Sequence, residues 1–347
     1  MTASSYRHVV LYDLGSASAD LIQALCKAGV KTTVVEQDPD DATRVREILG
    51  RRLADATVPV ATIVGPACSV FLCRSADASK APKGALVVVL DGPHELAAVP
   101  DQTRSVAMDL FDPRLVEIDL GSASADRQAE AVAFAKLLGV PVLQSTGHAF
   151  AGTVLQDAAL ALVDRLLLVG VTPWELDEAL EDAGFTEGLL KAQDHIGLEV
   201  AFARRRMAGT DLLVADRMVR EGRLGRSIGV GWYRYPGGGG AVIDPLMEDM
   251  IVEEARFARI AELDISPQDA AGALILGVIN AASSLLQEGV SLEELDQLAF
   301  YKLGLPQITA RARAIGYTAL VQRLKALERI DTGLWGASPC LPRIFAA

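Results

Sequence analysis

The sequence predicts an α/β N-terminal domain on a trimmed parallel sheet, followed by all-α tandem helical repeats. Three observations carry that expectation. Val9-Val10-Leu11-Tyr12, an amphipathic stretch through Leu21, Ile22, Leu25 and Cys26 stopped by Gly29, and the Thr/Val-rich Lys31–Glu36 read as one β-α-β unit. From Phe150 onward, Ala/Leu/Val-rich segments have helical spacing, first through Val154, Ala158, Leu162 and Leu166. The string Gly170-Val171-Thr172-x-x-Glu175-Leu176-Asp177 then recurs as Gly289-Val290-Ser291-x-x-Glu294-Leu295-Asp296. Each copy is a capping box after a long apolar helix, and each leads to a Gly-apolar pair, Gly184-Phe185 and Gly304-Leu305. The expected boundaries are 1–146 for the sheet domain, 147–240 for the first helical unit and 241–347 for the second.

Composition narrows the function. The chain has 347 residues, 50% hydrophobic and 22% charged, with a net charge of −12. That balance fits a soluble protein and argues against nucleic acid or an anionic membrane as partner. Arg204-Arg205-Arg206 is the one dense basic run, and a solvated helix face explains it. Cys26, Cys68, Cys73 and Cys340 form no C-x-x-C pair, so neither a metal site nor a disulfide framework is expected. The N-terminus has no secretory pattern, and no apolar run is expected to be long enough to span a membrane, since Asp164 and Arg165 break the best candidate. The expectation is a cytoplasmic protein.

The β-α-β unit has a damaged glycine fingerprint. In G-x-G-x-x-G, Asp13 takes the first position, Gly15 the second and Ser18 the third. Glu36 ends the second strand, where a dinucleotide-binding fold keeps its ribose carboxylate. This is a Rossmann-like pattern. Asp13 adds a Cβ and a negative charge where a pyrophosphate belongs, against the field of the helix N-terminus. The alternative to NAD binding is a layer that has lost its nucleotide. Further strands are expected within 58–64, over Ser69–Cys73, around Lys83–Leu90, at Val106–Pro113 and Leu115–Ile118, and at Pro141–Leu143; a helix is expected over Ala129–Leu138.

Between the repeats lies Glu221–Pro236, with Gly222, Gly225, Gly229, Gly231 and then Trp232, Tyr233 and Tyr235. So many glycines exclude a helix and suit a loop with close backbone contacts. Read alone, it is a structured connector between helical units. Its residue order resembles the Gly-Arg-Leu-Gly-x-x-x-Gly-x-Gly-[Phe/Trp]-Tyr signature of the 3-hydroxyacyl-CoA dehydrogenase family, with Ser227 and Ile228 at two positions usually held by Lys and Thr.

The resemblance implies an NAD-dependent oxidation of 3-hydroxyacyl-CoA to 3-ketoacyl-CoA. It also implies a tandem arrangement in which the second helical copy packs on the first. Val106–Pro113 and Leu115–Ile118 are similar to the family's His-Phe-Phe-Asn-Pro and Leu-Val-Glu strands. Glu117 is kept, Asp109 stands at the general-base His, and Asp112 at the Asn. The Ser-Asn-x-Ser substrate loop reads Leu90-Asp91-Gly92-Pro93, and Thr153 replaces a substrate-contacting Asn. The resemblance thus assigns Asp109, Glu117 and Thr153 to catalysis and Gly15, Ser18 and Glu36 to the cofactor, with an acyl-CoA-type molecule as partner and a monomer or homodimer as assembly. An Asp base has an ordinary pKa near about 3.9 and needs burial or a neighbouring carboxylate to work at neutral pH. Two functions stay open: an enzyme in which Asp109 and Glu117 replace the His–Glu pair, with nearby His148 a substitute base, and a non-catalytic paralogue serving as a binding or assembly subunit.

Overall fold

A computed structural model describes residues 8–15, 18–52, 58–61, 64–65, 68–110, 112, 114–145 and 149–346. The chain divides into two compact units, Met1–Phe150 and Ala151–Ala347.

In the first unit, β1 (Val9–Tyr12), α1 (Ala19–Lys27) and β2 (Thr32–Val35) form the expected β-α-β element. All four residues of β1 are buried, as a central parallel strand requires. A helix absent from the sequence reading follows, α2 (Pro39–Arg52). Asp38 Oδ1 accepts from the amides of Asp40 and Asp41 and so caps it. Among its described side chains, Ala42, Val45 and Leu49 are buried between charged neighbours, which hid its period. Then come β3 (Val60–Ala61), β4 (Val70–Cys73), β5 (Leu86–Val89), β6 (Ser105–Asp109), β7 (Val116–Asp119), α3 (Ala125–Lys136) and β8 (Val142–Gln144).

The strands form one sheet in the order β3-β2-β1-β4-β5-β6-β7-β8. Neighbours are parallel except β6 and β7, which run antiparallel. The order reverses between β1 and β4, the place where open α/β sheets hold ligands beyond their strand C-termini. Side chains of α1, α2 and α3 pack on one face, with Leu11, Val34, Leu72, Val88 and Met108. The other face carries Tyr12, Phe71, Val89 and Ala107 and is covered by Ala78, Ala81, Leu96, Val99 and Phe150. Ala78 and Leu96 come from 3-10 turns, Ser75–Lys80 and Pro93–Ala98. The trimming therefore lies in the two-residue β3 and in these short crossovers, while the sheet keeps eight strands.

The second unit opens with α4 (Ala151–Leu168), α5 (Pro173–Asp182), α6 (Leu189–Ile196), α7 (Leu198–Ala208) and α8 (Leu213–Arg220). After a glycine-rich loop come α9 (Leu246–Phe257), α10 (Pro267–Leu285), α11 (Leu292–Leu303), α12 (Ile308–Ile315), α13 (Tyr317–Leu327) and α14 (Thr332–Trp335). Both capping boxes form, at Thr172/Glu175 and at Ser291/Glu294. The repeat extends further. Asp177 accepts from the amides of Leu190 and Lys191, and Asp296 accepts from that of Thr309, so each box helix caps the next helix through the same Asp.

The two copies share one core. α4 packs on α10, and each also contacts the other's successor, α11 and α5, as a pseudo-twofold axis requires. Gly277 permits that approach: a Cβ there would lie 2.6 Å from a methyl of Leu162. Val154, expected on the buried stripe of α4, is 40% exposed, and Leu155, Ala159, Val163 and Leu166 join Leu162 inside. Asp164, read as a break in an apolar run, is buried and accepts from the amides of Leu213, Val214 and Ala215 at the start of α8. The expectation that no apolar segment is long enough to cross a membrane is corrected. α10 with its 3-10 extension, Pro267–Glu288, passes by length and composition at a mean hydropathy of 1.6, because Asn280 and two serines barely lower that average. In the fold it is a core helix, 67% buried.

Candidate functional site

The β1–α1 turn follows from β1 with an unusual backbone. Asp13 has φ 54 and Gly15 φ 64. The left-handed region suits Gly15 and strains Asp13, although Asp tolerates it better than most residues. Ser18 is fully buried, and its hydroxyl donates to the Gly15 carbonyl at 2.7 Å. It thus tightens the turn from the third fingerprint position.

Glu36 sits just past β2, at the strand C-termini, as the sequence placed it. One carboxylate oxygen accepts from the Gly15 amide at 3.0 Å, and the Leu14 amide also donates to the group. Only 1% of Glu36 is exposed, with its carboxylate held on the turn's own amide. Burial holds its pKa above the usual carboxylate range, and the two amides pull it part of the way back. Asp13 closes the turn from the other side: its Oδ1 accepts from the Gln37 amide at 3.1 Å. A pyrophosphate here would meet two carboxylates, with the Leu14 and Gly15 amides already engaged. The described residues do not fit a dinucleotide.

The next strand ends repeat this self-satisfaction. Asp91, after β5, accepts from the Ser75 amide at 3.0 Å and the Ser75 hydroxyl at 2.7 Å. Ser75 itself begins the turn after β4. Its hydroxyl also reaches Glu95 at 3.3 Å. Gly92 holds φ 128, which permits the bend out of the strand.

Asp109 and Glu117 are brought together. They are directly opposite in the antiparallel β6–β7 pair, so their side chains share one face of the sheet. Both are buried, Asp109 at 8% exposure and Glu117 at 1%. Asp112 is engaged elsewhere: it accepts from both Nε and Nη2 of Arg114 at 3.0 Å. Thr153 is half-buried in the first turn of α4, in the second unit. His148 lies outside the described residues. Among the described residues no group of three or more His, Cys, Asp or Glu side chains is arranged for a metal ion.

The glycine-rich loop is built around a residue the sequence reading did not single out, Asp194 on α6. Its carboxylate accepts from the Trp232 amide at 2.8 Å, the Tyr233 amide at 2.9 Å and the Tyr235 hydroxyl at 2.9 Å. A Cβ on Gly231 would lie 1.9 Å from Asp194 Oδ1, and one on Gly225 would lie 2.5 Å from the Asp194 carbonyl oxygen. Tyr233 donates to Asp177 at 2.8 Å, and Trp232 Nε1 donates to Gln193 at 2.6 Å. Arg223 bonds the Gly231 carbonyl at 3.0 Å and Asp244 at 2.7 Å. Burial pushes the carboxyls of Asp177 and Asp194 up to about 6, against their hydrogen bonds. The loop's aromatic and glycine pattern therefore serves packing. The signal that could have revealed Asp177 was the third shared position of the repeat, Glu-Leu-Asp in both copies.

Comparison with known proteins agrees with this architecture. Residues 150–235 match the family model for the 3-hydroxyacyl-CoA dehydrogenase C-terminal domain. A peroxisomal bifunctional enzyme of Danio rerio is 27% identical over 265 residues, covering 68% of this chain and 37% of that protein. A peroxisomal fatty acid beta-oxidation multifunctional protein of Oryza sativa is 29% identical over 155 residues, covering 41% of this chain and 21% of that protein. The chain thus spans little more than a third of the first relative. Among solved structures, the dehydrogenase part of multifunctional enzyme 1 from C. elegans matches with a TM-score of 0.63 at 16% identity, over 98% of this chain and 89% of that one. The 3-hydroxybutyryl-CoA dehydrogenase of Escherichia coli matches with a TM-score of 0.63 at 16% identity, over 97% and 98%. The fold is that of these dehydrogenases.

Proposed function

We propose, from the premise that this chain is a relative of the 3-hydroxyacyl-CoA dehydrogenases, that it keeps their scaffold without their NAD-linked turnover. It serves as a non-catalytic binding or assembly subunit beside acyl-CoA chemistry. The observation that carries this reading is the β1–α1 turn, where Glu36 takes the Gly15 amide and Asp13 adds a second carboxylate. NAD is the family's cofactor, and the residues of this turn oppose it. Changes at the substrate contacts point the same way: Asp91 is tied to Ser75, and Asp112 to Arg114. The ligand class that remains is an acyl-CoA thioester. A cytoplasmic location, a monomer or homodimer, and a division of the helical unit at residues 240 and 241 complete the proposal.

One observation favours a second reading. Asp109 and Glu117 are paired across β6 and β7, at the positions of the family's base and its orienting Glu. If turnover survives, Asp109 takes the hydroxyl proton, with Glu117 opposite it on β7. The test is NADH consumption with short and long 3-ketoacyl-CoA thioesters. The first reading predicts no consumption above the protein-free rate. Consumption that falls by about a hundred- to ten-thousand-fold in Asp109→Asn establishes the second.

A further inference from the structure

We propose that Asp13 and Asp91 form a carboxylate lock that excludes the pyrophosphate of a dinucleotide from the crest of the sheet. This deepens the non-redox reading and rests on it. Open α/β sheets bind ligands beyond the strand C-termini where the strand order reverses, here between β1 and β4. The consecutive strands β2, β1, β4 and β5 end at that crest in Glu36, Asp13, Ser75 and Asp91. Each carboxylate puts a negative charge there while accepting from a main-chain amide. Glu36 holds the Gly15 amide, Asp13 the Gln37 amide and Asp91 the Ser75 amide. Two cations of the β4–β5 crossover do not offset this. Lys80 lies 2.9 Å from Asp77 and 4.8 Å from the centre of the Tyr12 ring, and Arg74 is exposed. The lock is a matter of charge, since the αL turn, the buried Ser18 and the strand geometry of a dinucleotide site are present.

Charge can be removed with little change of shape. Asp13→Asn and Asp91→Asn each keep a side-chain oxygen to accept the same amide, and Asn tolerates the left-handed φ at position 13. The experiment is calorimetry of NADH, ADP and adenosine binding to the full chain and to Asp13→Asn/Asp91→Asn, with circular dichroism to confirm the fold. The double variant is expected to bind NADH and ADP at least about tenfold more tightly than the native chain, from removal of two like charges. The gain should shrink at high salt, and adenosine binding should not change. Tight NADH binding by the native chain overturns the non-redox reading. Weak binding by the native chain with no gain in the folded double variant leaves that reading standing and overturns the lock. An equal gain for adenosine also overturns it, because a neutral ligand does not feel the charge. Should the double variant not fold, Asp13→Gly, which also relieves the positive φ, is measured in its place under the same criteria.

Discussion

At the scale of single residues, Asp194 and Gly231 show what the glycine-rich signature is for. The Asp194 carboxylate lies so close to Gly231 that a methyl group cannot enter without breaking the bonds to Trp232, Tyr233 and Tyr235. Gly231→Ala is therefore expected to destabilise the second unit by about 2–4 kcal/mol, from overpacking plus loss of buried hydrogen bonds. Gly240→Ala, with open space around it and no positive φ, should stay within about 0.5 kcal/mol of the native chain. Urea denaturation of the two variants checks the contrast, and equal stabilities would contradict the packing role. The sequence showed that these glycines mattered and that the aromatics would be buried. It did not show the partner, because one Asp on a helix distant in sequence looks like any surface Asp. The same blindness applied to Asp164, which interrupts an apolar run in one dimension and caps α8 in three.

At the scale of elements, the repeat was legible because capping boxes have fixed spacing and a fixed mechanism. Thr172→Ala and Ser291→Ala should each cost about 1 kcal/mol, the ordinary value of an N-cap, by chemical denaturation. Where the two copies cross, Gly277→Ala should cost about 1–3 kcal/mol because its methyl meets Leu162. Combining it with Leu162→Ala should cost less than the sum of the separate changes, since the smaller side chain frees the space. A strictly additive cycle would place the contact elsewhere. Elements with weak periodicity were not legible. Among its described side chains α2 buries Ala42, Val45 and Leu49 between charged residues, and its start is marked by Asp38 and Pro39. The pairing of Asp109 with Glu117 was visible only as two neighbouring motifs; the antiparallel register of β6 and β7 sets them opposite one another.

At the scale of the whole molecule, buried acids set the response to pH. Burial pushes Asp164, Asp177 and Asp194 each up to about 6. In the unfolded chain such groups titrate near about 3.9, so the folded state binds their protons more tightly. Their contribution is greatest below the unfolded value and is lost as pH rises from about 4 to about 6. The net charge of −12 acts in the same sense, because self-repulsion grows as acids ionise. The urea midpoint should therefore be higher near about pH 5 than near about pH 7.5, and Asp177→Asn should flatten the slope. A midpoint that rises with pH over that range would contradict the burial of these groups.

The central claim concerns the first unit: a sheet with the topology of a dinucleotide fold, where Glu36 takes the Gly15 amide and Asp13 adds a second carboxylate after β1. The most direct measurement is a calorimetric titration of the native chain with NADH at neutral pH and low salt. The account predicts no saturable heat in the micromolar range. A one-to-one isotherm with micromolar affinity, competed by NAD, would show that Asp13 and Glu36 yield to the pyrophosphate and would contradict it.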